Sequence, residues 1–271
     1  MSKSSIAMAY ADDHAGTRPR PPLDGPTGEA CVWVLGVPFA PLTLDDAIAR
    51  VRTMLSGTAP HQIVLANANT LNLAATDPAY RATLASASLV LRDGVGVEIA
   101  ARLLGHELAY NFVGTDFVPL LLETVAAPRL RVFLFGAAPG IAVAAGEALT
   151  RRSPAIEIVG SEDGYGDGAG VAARVRATRP DVLLVALGNP LQEQWIAANL
   201  GQLDVRIAIG VGALFDFLAG HVRRAPQWIR ALRCEWLYRF YLEPGRLWRR
   251  YLIGNAQFLW RVVRSRRAEG A

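Results

Sequence analysis

The sequence predicts an α/β protein: a doubly wound, mostly parallel (Rossmann-like) sheet with a C-terminal helical basic appendage. Three observations lead there. Apolar runs of strand length repeatedly end at Gly, Asn or Asp and give way to residues at helical spacing. That alternation, repeated about six times, is the order of a parallel sheet with crossover helices. The two clearest runs, 182–187 and 207–211, are apolar throughout, as strands covered on both faces must be. Beyond Pro226 such runs stop and Arg and Trp take over.

In chain order, residues 1–30 hold Pro19, Pro21, Pro22 and Pro26 among Gly and Asp and read as a disordered leader. Residues 31–38 read as a first short strand. Thr43 is placed to N-cap a helix whose apolar face is Leu44, Ile48, Val51 and Leu55. A strand at 63–66 runs into Asn67, followed by a helix with Leu71, Leu73 and Ala74 and a second after Asp77-Pro78. The strand at 89–91 ends in Arg92-Asp93-Gly94, and a helix over 95–104 follows. Gly114-Thr115-Asp116 opens a helix of Phe117, Leu120 and Leu121. The strand at 132–135 ends at Gly136, with a helix from Gly140 to Arg151. The strand at 156–159 leads to Gly164-Tyr165-Gly166 and a helix around 171–177. The run 182–187 ends at Gly188-Asn189-Pro190, where a helix with Gln192, Glu193 and Trp195 starts; 207–211 ends at Gly212 and turns into a short helix with Phe215 and Asp216. In the tail, Ile229, Leu232, Trp236 and Phe240 fall at helical spacing. The expected division is a leader (1–30), an α/β body (31–225) and a helical, membrane-associating appendage or lid (226–271).

Composition narrows the function classes. The hydrophobic fraction is 52% and the charged fraction 19%, which indicates a filled core. The two cysteines, Cys31 and Cys234, and four scattered histidines make neither a disulfide framework nor a metal-ligand spacing. The net charge of +4 conceals an asymmetry: residues 223–271 carry 12 Arg against 3 Glu, the rest 16 basic against 21 acidic side chains. Four of the six tryptophans, Trp228, Trp236, Trp248 and Trp260, lie in that basic tail. Aromatic rings and guanidiniums mixed on amphipathic helices suit an anionic membrane surface; a helical lid packed on the body is the other reading, and the two are compatible. No uncharged, proline-free run approaches the ~18 residues of a spanning helix, and the N-terminus has no apolar signal core. The expectation is therefore a cytoplasmic protein, peripheral on the inner face of the cell membrane. No nucleic-acid partner is expected, and a homo-oligomer is left open.

Motifs exclude several chemistries. Gly94-Val95-Gly96 lacks the third glycine of a dinucleotide fingerprint, and Pro119 stands where a ribose-binding acid would be sought. There is no Gly-Lys-Ser/Thr P-loop, no Gly-X-Ser-X-Gly elbow and no Asp-X-Asp at a strand end. No metal site and no cofactor are expected. What remains is polar residues at strand ends: Asn189, Gln192, Glu193 and Asp216, each readable as a helix cap or loop partner, but together favouring a site. Asp93 follows a buried strand beside a glycine that lets a ligand approach the backbone. It reads either as a general base, its pKa raised by partial desolvation, or as the N-cap of the next helix.

The ordered set Asn67, Asp93-Gly94, Gly114-Thr115-Asp116, Gly164-Tyr165, Gly188-Asn189-Pro190-X-Gln192-Glu193, Gly210-Val-Gly212, Phe215-Asp216, Arg223-Arg224-Ala-Pro226 and Glu235-Trp-Leu-Tyr-Arg239 resembles the WecG/TagA/CpsF family of bacterial glycosyltransferases, over about residues 31–252. The resemblance implies an inverting, metal-independent enzyme. It would move a sugar, often N-acetylmannosamine, from a UDP-sugar to a polyprenyl-diphosphate-linked sugar at the cytoplasmic membrane face. By the same resemblance Asp93 is the catalytic base and Asn67 lines its pocket. Gln192 is a sugar or phosphate contact and Asp216 a nucleotide contact. Arg239, Arg246 and Arg249 match tail arginines that reach the diphosphate and complete the site. The pocket further implied involves Gly94, Thr115, Asp116 and Gly136, with Tyr165, Gly188, Pro190, Glu193 and Gly212 beyond them. One departure stands out: many members carry Thr two residues before the Asn, and here that residue is Leu65. A step needing a hydroxyl there is closed to this chain, and the donor sugar need not be the usual one. A glucosyltransferase of exopolysaccharide assembly and a non-catalytic sugar-nucleotide sensor or membrane adaptor are the alternative readings; a sensor would need neither the base nor the arginine clamp.

Overall fold

The structure, a computed structural model, describes residues 31–126, 128–166, 168, 170–222, 224–226, 229, 235–242, 245, 248 and 252–269. The expected leader at 1–30 lies outside the described residues, as do Trp228 and Leu232 of the tail.

The single strand expected over 31–38 is two: β1 (Val32–Val34) and β2 (Val37–Phe39) pair antiparallel. Between them Leu35 and Gly36 both take positive φ, 50° and 78°. A pair of left-handed residues is what a two-residue turn needs to match the strands' twist. Apolar composition alone concealed it. The hairpin lies beside the main sheet, where Ala40 N–H donates to Val90 O at 3.0 Å.

Helix α1 (Leu44–Ser56) is N-capped by Thr43, whose side chain accepts from Asp46 N, with Asp46 returning the bond. Its deepest residues are Ala47, Val51 and Met54, with Leu44, Ile48 and Leu55 packed at the edges. The remaining strands are β3 (His61–Ala66), β4 (Leu89–Arg92), β5 (Leu130–Gly136), β6 (Ile156–Glu162), β7 (Val182–Ala186) and β8 (Ile207–Gly210). They form a six-stranded sheet in the order β4-β3-β8-β7-β5-β6, with every pairing parallel.

Helices cover both faces. Following β3 come α2 (Ala68–Thr76) and α3 (Pro78–Ala85); α4 (Val95–Leu103) and α5 (Gly114–Val125) follow β4. Then come α6 (Ile141–Arg152), α7 (Val171–Thr178), α8 (Leu191–Asn199) and α9 (Leu214–Leu218), and in the tail α10 (Glu235–Leu242) and α11 (Gly254–Glu269). Strand periodicity divides the core. Val182, Leu184 and Ala186 of β7 point to the face covered by α1, α5, α6 and α9, while Leu183 and Val185 point to α7 and α8 on the other. On that second face, α2, α3, α4 and α11 cover β3 and β4. In α5 the buried residues are Phe117, Val118, Pro119, Leu121 and Leu122. Leu120, expected inside, is 39% exposed, because a stripe at 117, 118, 121 and 122 turns position 120 outward.

The tail's last helix belongs to this core. Phe258 and Val262 are buried in the cluster formed by α2, α4 and the hairpin. Asn72 Nδ2 donates to Gly254 O at 2.6 Å, and Arg261 Nη1 donates to Asn72 Oδ1 at 2.6 Å. Gly96 permits the contact, since a Cβ there would lie 3.1 Å from that of Ala68 and 3.8 Å from the Phe258 ring. The other side of α11 exposes Leu259, Trp260 and Val263, with the Arg264 guanidinium 5.3 Å above the Trp260 ring. Among the described residues, no helix is long and apolar enough to cross a membrane.

Candidate active site

Six parallel strands place their carboxyl ends along one edge of the sheet, where ligands of open α/β folds bind. Each end carries a residue singled out above: Asn67 after β3, Asp93 and Gly94 after β4, Gly136 at the end of β5, Tyr165 in the loop after β6, Gly188 after β7 and Gly212 after β8. Thr115 and Asp116 join them, because α5 starts at the same edge: Phe112 N–H donates to Arg92 O at 2.8 Å.

Asn67 N-caps α2, its Oδ1 accepting from Asn69 N at 3.0 Å and Thr70 N at 3.2 Å. Its Nδ2 takes no part in the cap. Asp93 is not a cap: Gly94, at φ 97°, occupies the N-cap position of α4, with no side-chain bond to the first turn. The Asp93 backbone is instead pinned, its N–H donating to Ala66 O at 2.9 Å. The next amide, Gly94 N–H, donates to Asn111 Oδ1 at 2.6 Å. Just before it, Arg92 is 3% exposed; its guanidinium pairs with Glu98 and donates from Nε to Tyr110 O at 3.1 Å. Arg102 Nη2 joins the group at 2.9 Å from Glu98. A buried charge is tolerable only when paired and hydrogen-bonded, and this group links the start of α4 to residues 110–112. Leu65, at the departure from the resemblance, is buried, with Gly114 so close that a Cβ there would lie 3.1 Å from Leu65 Cδ1.

Thr115 and Asp116 are engaged by Arg224. Its Nη1 and Nη2 lie 2.5 and 2.9 Å from the two Asp116 oxygens, and Nη2 lies 3.0 Å from Thr115 Oγ1. This fork ties the segment that leads into the tail to the start of α5. Gly136, at φ 120°, has no room for a side chain: a Cβ would sit 2.5 Å from the carbonyl of Ala186 on β7. Gly164 lies over the same point, its N–H donating to Ala137 O at 2.9 Å, and Tyr165 beside it is 58% exposed. Asp216 stands in the first turn of α9, its carbonyl accepting from His221 N and Val222 N.

The end of β7 is built differently. Gln192 and Glu193 are 2% and 1% exposed, and their polar atoms are spent inside the protein. Gln192 Oε1 accepts from Gly188 N at 3.2 Å and Gly212 N at 3.0 Å. Its Nε2 donates to Glu193 Oε1 at 2.7 Å, where Asn189 Nδ2 also donates at 2.8 Å. Glu193 Oε2 accepts from the hydroxyl of fully buried Tyr80 at 3.0 Å. Burial pushes the Glu193 carboxyl up to about 7, against hydrogen bonds from Gln192, Tyr80 and Asn189 that pull it down. Burial, and next the Glu193 charge, push the Tyr80 phenol upward. The Asn189-Pro190 peptide bond in this turn is cis.

The arginines expected to complete the site are not brought into view. Arg246 and Arg249 lie outside the described residues, as does the side chain of Arg239, whose backbone belongs to α10. Among the described residues no group of three or more His, Cys, Asp or Glu is placed to hold a metal ion. Sequence reading missed Asn111, Tyr80 and the part played by Arg224. Arg92, a charge ending an apolar strand run, was a signal that could have been followed; Tyr80 bonds to a residue 113 positions away and gave none.

Residues 32–271 match the family described as "Glycosyl transferase WecG/TagA/CpsF family". An N-acetylglucosaminyldiphosphoundecaprenol N-acetyl-beta-D-mannosaminyltransferase of Bacillus spizizenii is 36% identical over 207 residues, covering 76% of this chain and 80% of that protein. Proteins of the same name from Staphylococcus aureus strains MRSA252 and NCTC 8325 are each 31% identical over 242 residues, covering 88% of this chain and 94% of theirs.

Proposed function

The chain belongs to the WecG/TagA/CpsF family and is a glycosyltransferase; from that premise we propose an inverting, metal-independent transfer of N-acetylmannosamine, or a related hexose, from a UDP-sugar to a polyprenyl-diphosphate-linked sugar. The acceptor proposed is the undecaprenyl-diphosphate-linked N-acetylglucosamine of the relatives' names. The observation that carries the reading is Asp93: a carboxylate at the end of a buried strand, its backbone fixed by Ala66 and, through Gly94, by Asn111.

In the proposed step Asp93 takes the proton of the acceptor hydroxyl as that oxygen attacks the anomeric carbon. The bond from that carbon to the diphosphate breaks on the opposite face, and UDP leaves with the electron pair. One displacement inverts the anomeric centre. Holding the base in a fixed place contributes because proton transfer requires hydrogen-bond reach. The charge developing on the diphosphate is met by guanidiniums, for which Arg239, Arg246 and Arg249 are the candidates, and by backbone amides at the strand edge. Asn67, Gly94, Thr115, Asp116, Tyr165 and Asp216 are proposed to line the donor pocket. Gly136, Gly188, Pro190 and Gly212 would shape its floor.

Support for a membrane-surface site comes from α11, which packs by Phe258 and Val262 beside the elements carrying Asn67 and Asp93 while presenting Trp260 and its neighbours outward. The reading is tested by measuring UDP release from a panel of UDP-sugars with a short-chain polyprenyl-diphosphate sugar. UDP-N-acetylmannosamine is expected to be the preferred donor. Preference for UDP-glucose would move the protein to the exopolysaccharide reading, and no release with any donor would leave a sensor.

A further inference from the structure

The proposed transfer gives no task to the buried carboxyl of Glu193. Glu193 is too deep to touch a sugar nucleotide, and its carboxylate sits among three donors that come from two elements: Tyr80 on α3, and Asn189 and Gln192 at the start of α8. The orientation of the Gln192 amide follows from this. With Nε2 held by the carboxylate, Oε1 must face the opposite way, where it accepts the amide protons of Gly188 and Gly212. Those glycines follow β7 and β8, and both have positive φ, 79° and 55°. The amide also fills the space over Gly210, where a Cβ would lie 2.7 Å from Gln192 Nε2. A second tie runs to the sheet: Gln62 Nε2 on β3 donates to the Glu193 carbonyl at 3.0 Å. One buried carboxylate thus sets the amide that joins two strand-end loops.

Packing alone does not call for such a group. Removing a carboxylate from water costs several kcal/mol, and well-packed apolar residues often serve a fold as well or better. A buried polar network fixes geometry when every member is satisfied, and here each of the four side chains has its partner.

We propose that Glu193 is a positioning residue of the donor site, orienting Gln192 and Asn189 so that the loops after β7 and β8 form one surface for the sugar nucleotide. This rests on the reading of the strand edge as the donor site. Gln192 then acts through the two glycine amides it holds. Either charge state of Glu193 keeps the tie: Oε1 accepts from Asn189 and Gln192 whether or not the group is protonated, and a proton on Oε2 would be donated to the Tyr80 oxygen. A glutamine can therefore take its place, and an alanine cannot.

The test compares the full-length protein with Glu193→Ala and Glu193→Gln, reading hydrogen exchange at Gly188 and Gly212 and the dissociation constant for UDP. In the alanine variant both glycine amides are expected to exchange at least about tenfold faster and UDP to bind about tenfold more weakly, the cost of one released buried hydrogen bond. Amides in the middle of β5 should keep their protection, and glutamine should rescue both readouts to within about threefold. If Glu193→Ala does not fold, Gln192→Leu replaces it, since it releases the same two amides and leaves Glu193 bonded to Tyr80 and Asn189. Unchanged exchange at both glycines in a folded variant overturns the clamp, as does unchanged UDP affinity despite faster exchange. A wild-type protein that does not bind UDP overturns the donor reading instead, so the two failures are distinguishable.

Discussion

Asp93 leaves β4 with its backbone held on both sides, by Ala66 and by the Asn111 bond to the next amide. Those backbone bonds are kept when the carboxylate is changed to an amide. Asp93→Asn is expected to fold and bind UDP like the wild type while turnover falls by about 10²–10⁴-fold, the usual contribution of a general base; single-turnover rates with a soluble acceptor check this, and near wild-type rates would remove Asp93 from the base role. Glu193 makes a different prediction, for stability against pH. Its carboxyl sits at about 7 in the folded protein against an ordinary 4.5, so between those values the folded state holds a proton that the unfolded state has released. Stability from this group is full below about 4.5 and is lost as pH rises through about 7. The charged or titratable groups on or capping the elements packed against α8 include Asp77, the N-cap of α3, Tyr80 and Arg81 of α3 and His61 of β3; Tyr80 is the one bonded to Glu193. Melting temperatures from pH 5 to 8 should decline in the wild type and decline less in Glu193→Gln. Equal slopes would mean that Glu193 does not hold its proton as described.

Among the elements, β5 and β7 approach each other through Gly136, where a methyl group would meet the Ala186 carbonyl and the backbone holds φ 120°. Gly136→Ala therefore carries both a clash and a strained conformation. Destabilisation of about 2 kcal/mol or more is expected in urea unfolding, whereas Gly201→Ala, with nothing within 4 Å of the added atom, should stay within about 0.5 kcal/mol. In α11, Phe258 is 1% exposed and seated on α2 and α4. Phe258→Ala should cost about 3–5 kcal/mol if the tail helix unfolds together with the body. A loss much below that range would mean that α11 detaches separately.

At the scale of the whole molecule, the basic tail is expected to serve membrane and chemistry together. Vesicle binding should require anionic lipid and weaken with salt, because each surface Arg contributes about 1 kcal/mol within a Debye length. The roles separate on a detergent-soluble acceptor, where docking no longer matters: Arg239→Ala, Arg246→Ala and Arg249→Ala should each still lower turnover. Full activity of all three there would make the tail an anchor only. Turnover should also survive EDTA; loss restored by Mg²⁺ or Mn²⁺ would reveal a ligand set outside the proposed mechanism.

The sequence by itself determined the fold class and the edge on which the singled-out residues gather. Both follow from local patterns: apolar runs of strand length separated by helices allow a parallel sheet, and parallel strands bring their carboxyl ends together whatever their order. Asn67, Asp93, Gly188 and Gly212 were legible for that reason. Tertiary structure alone decided the strand order, the Leu35-Gly36 turn and the inward side of α5. It also decided which polar residues at the edge face inward. Gln192 and Glu193 look like contacts in the sequence because they follow a strand end; the fold buries them, since Tyr80 and Gln62 arrive from other elements to satisfy their polar groups. Arg224 and Asn111 take their parts in the same way, across 108 and 17 residues. Spacing along a chain reports the period of a helix or strand, but a hydrogen bond between distant segments exists only once the sheet has set them side by side.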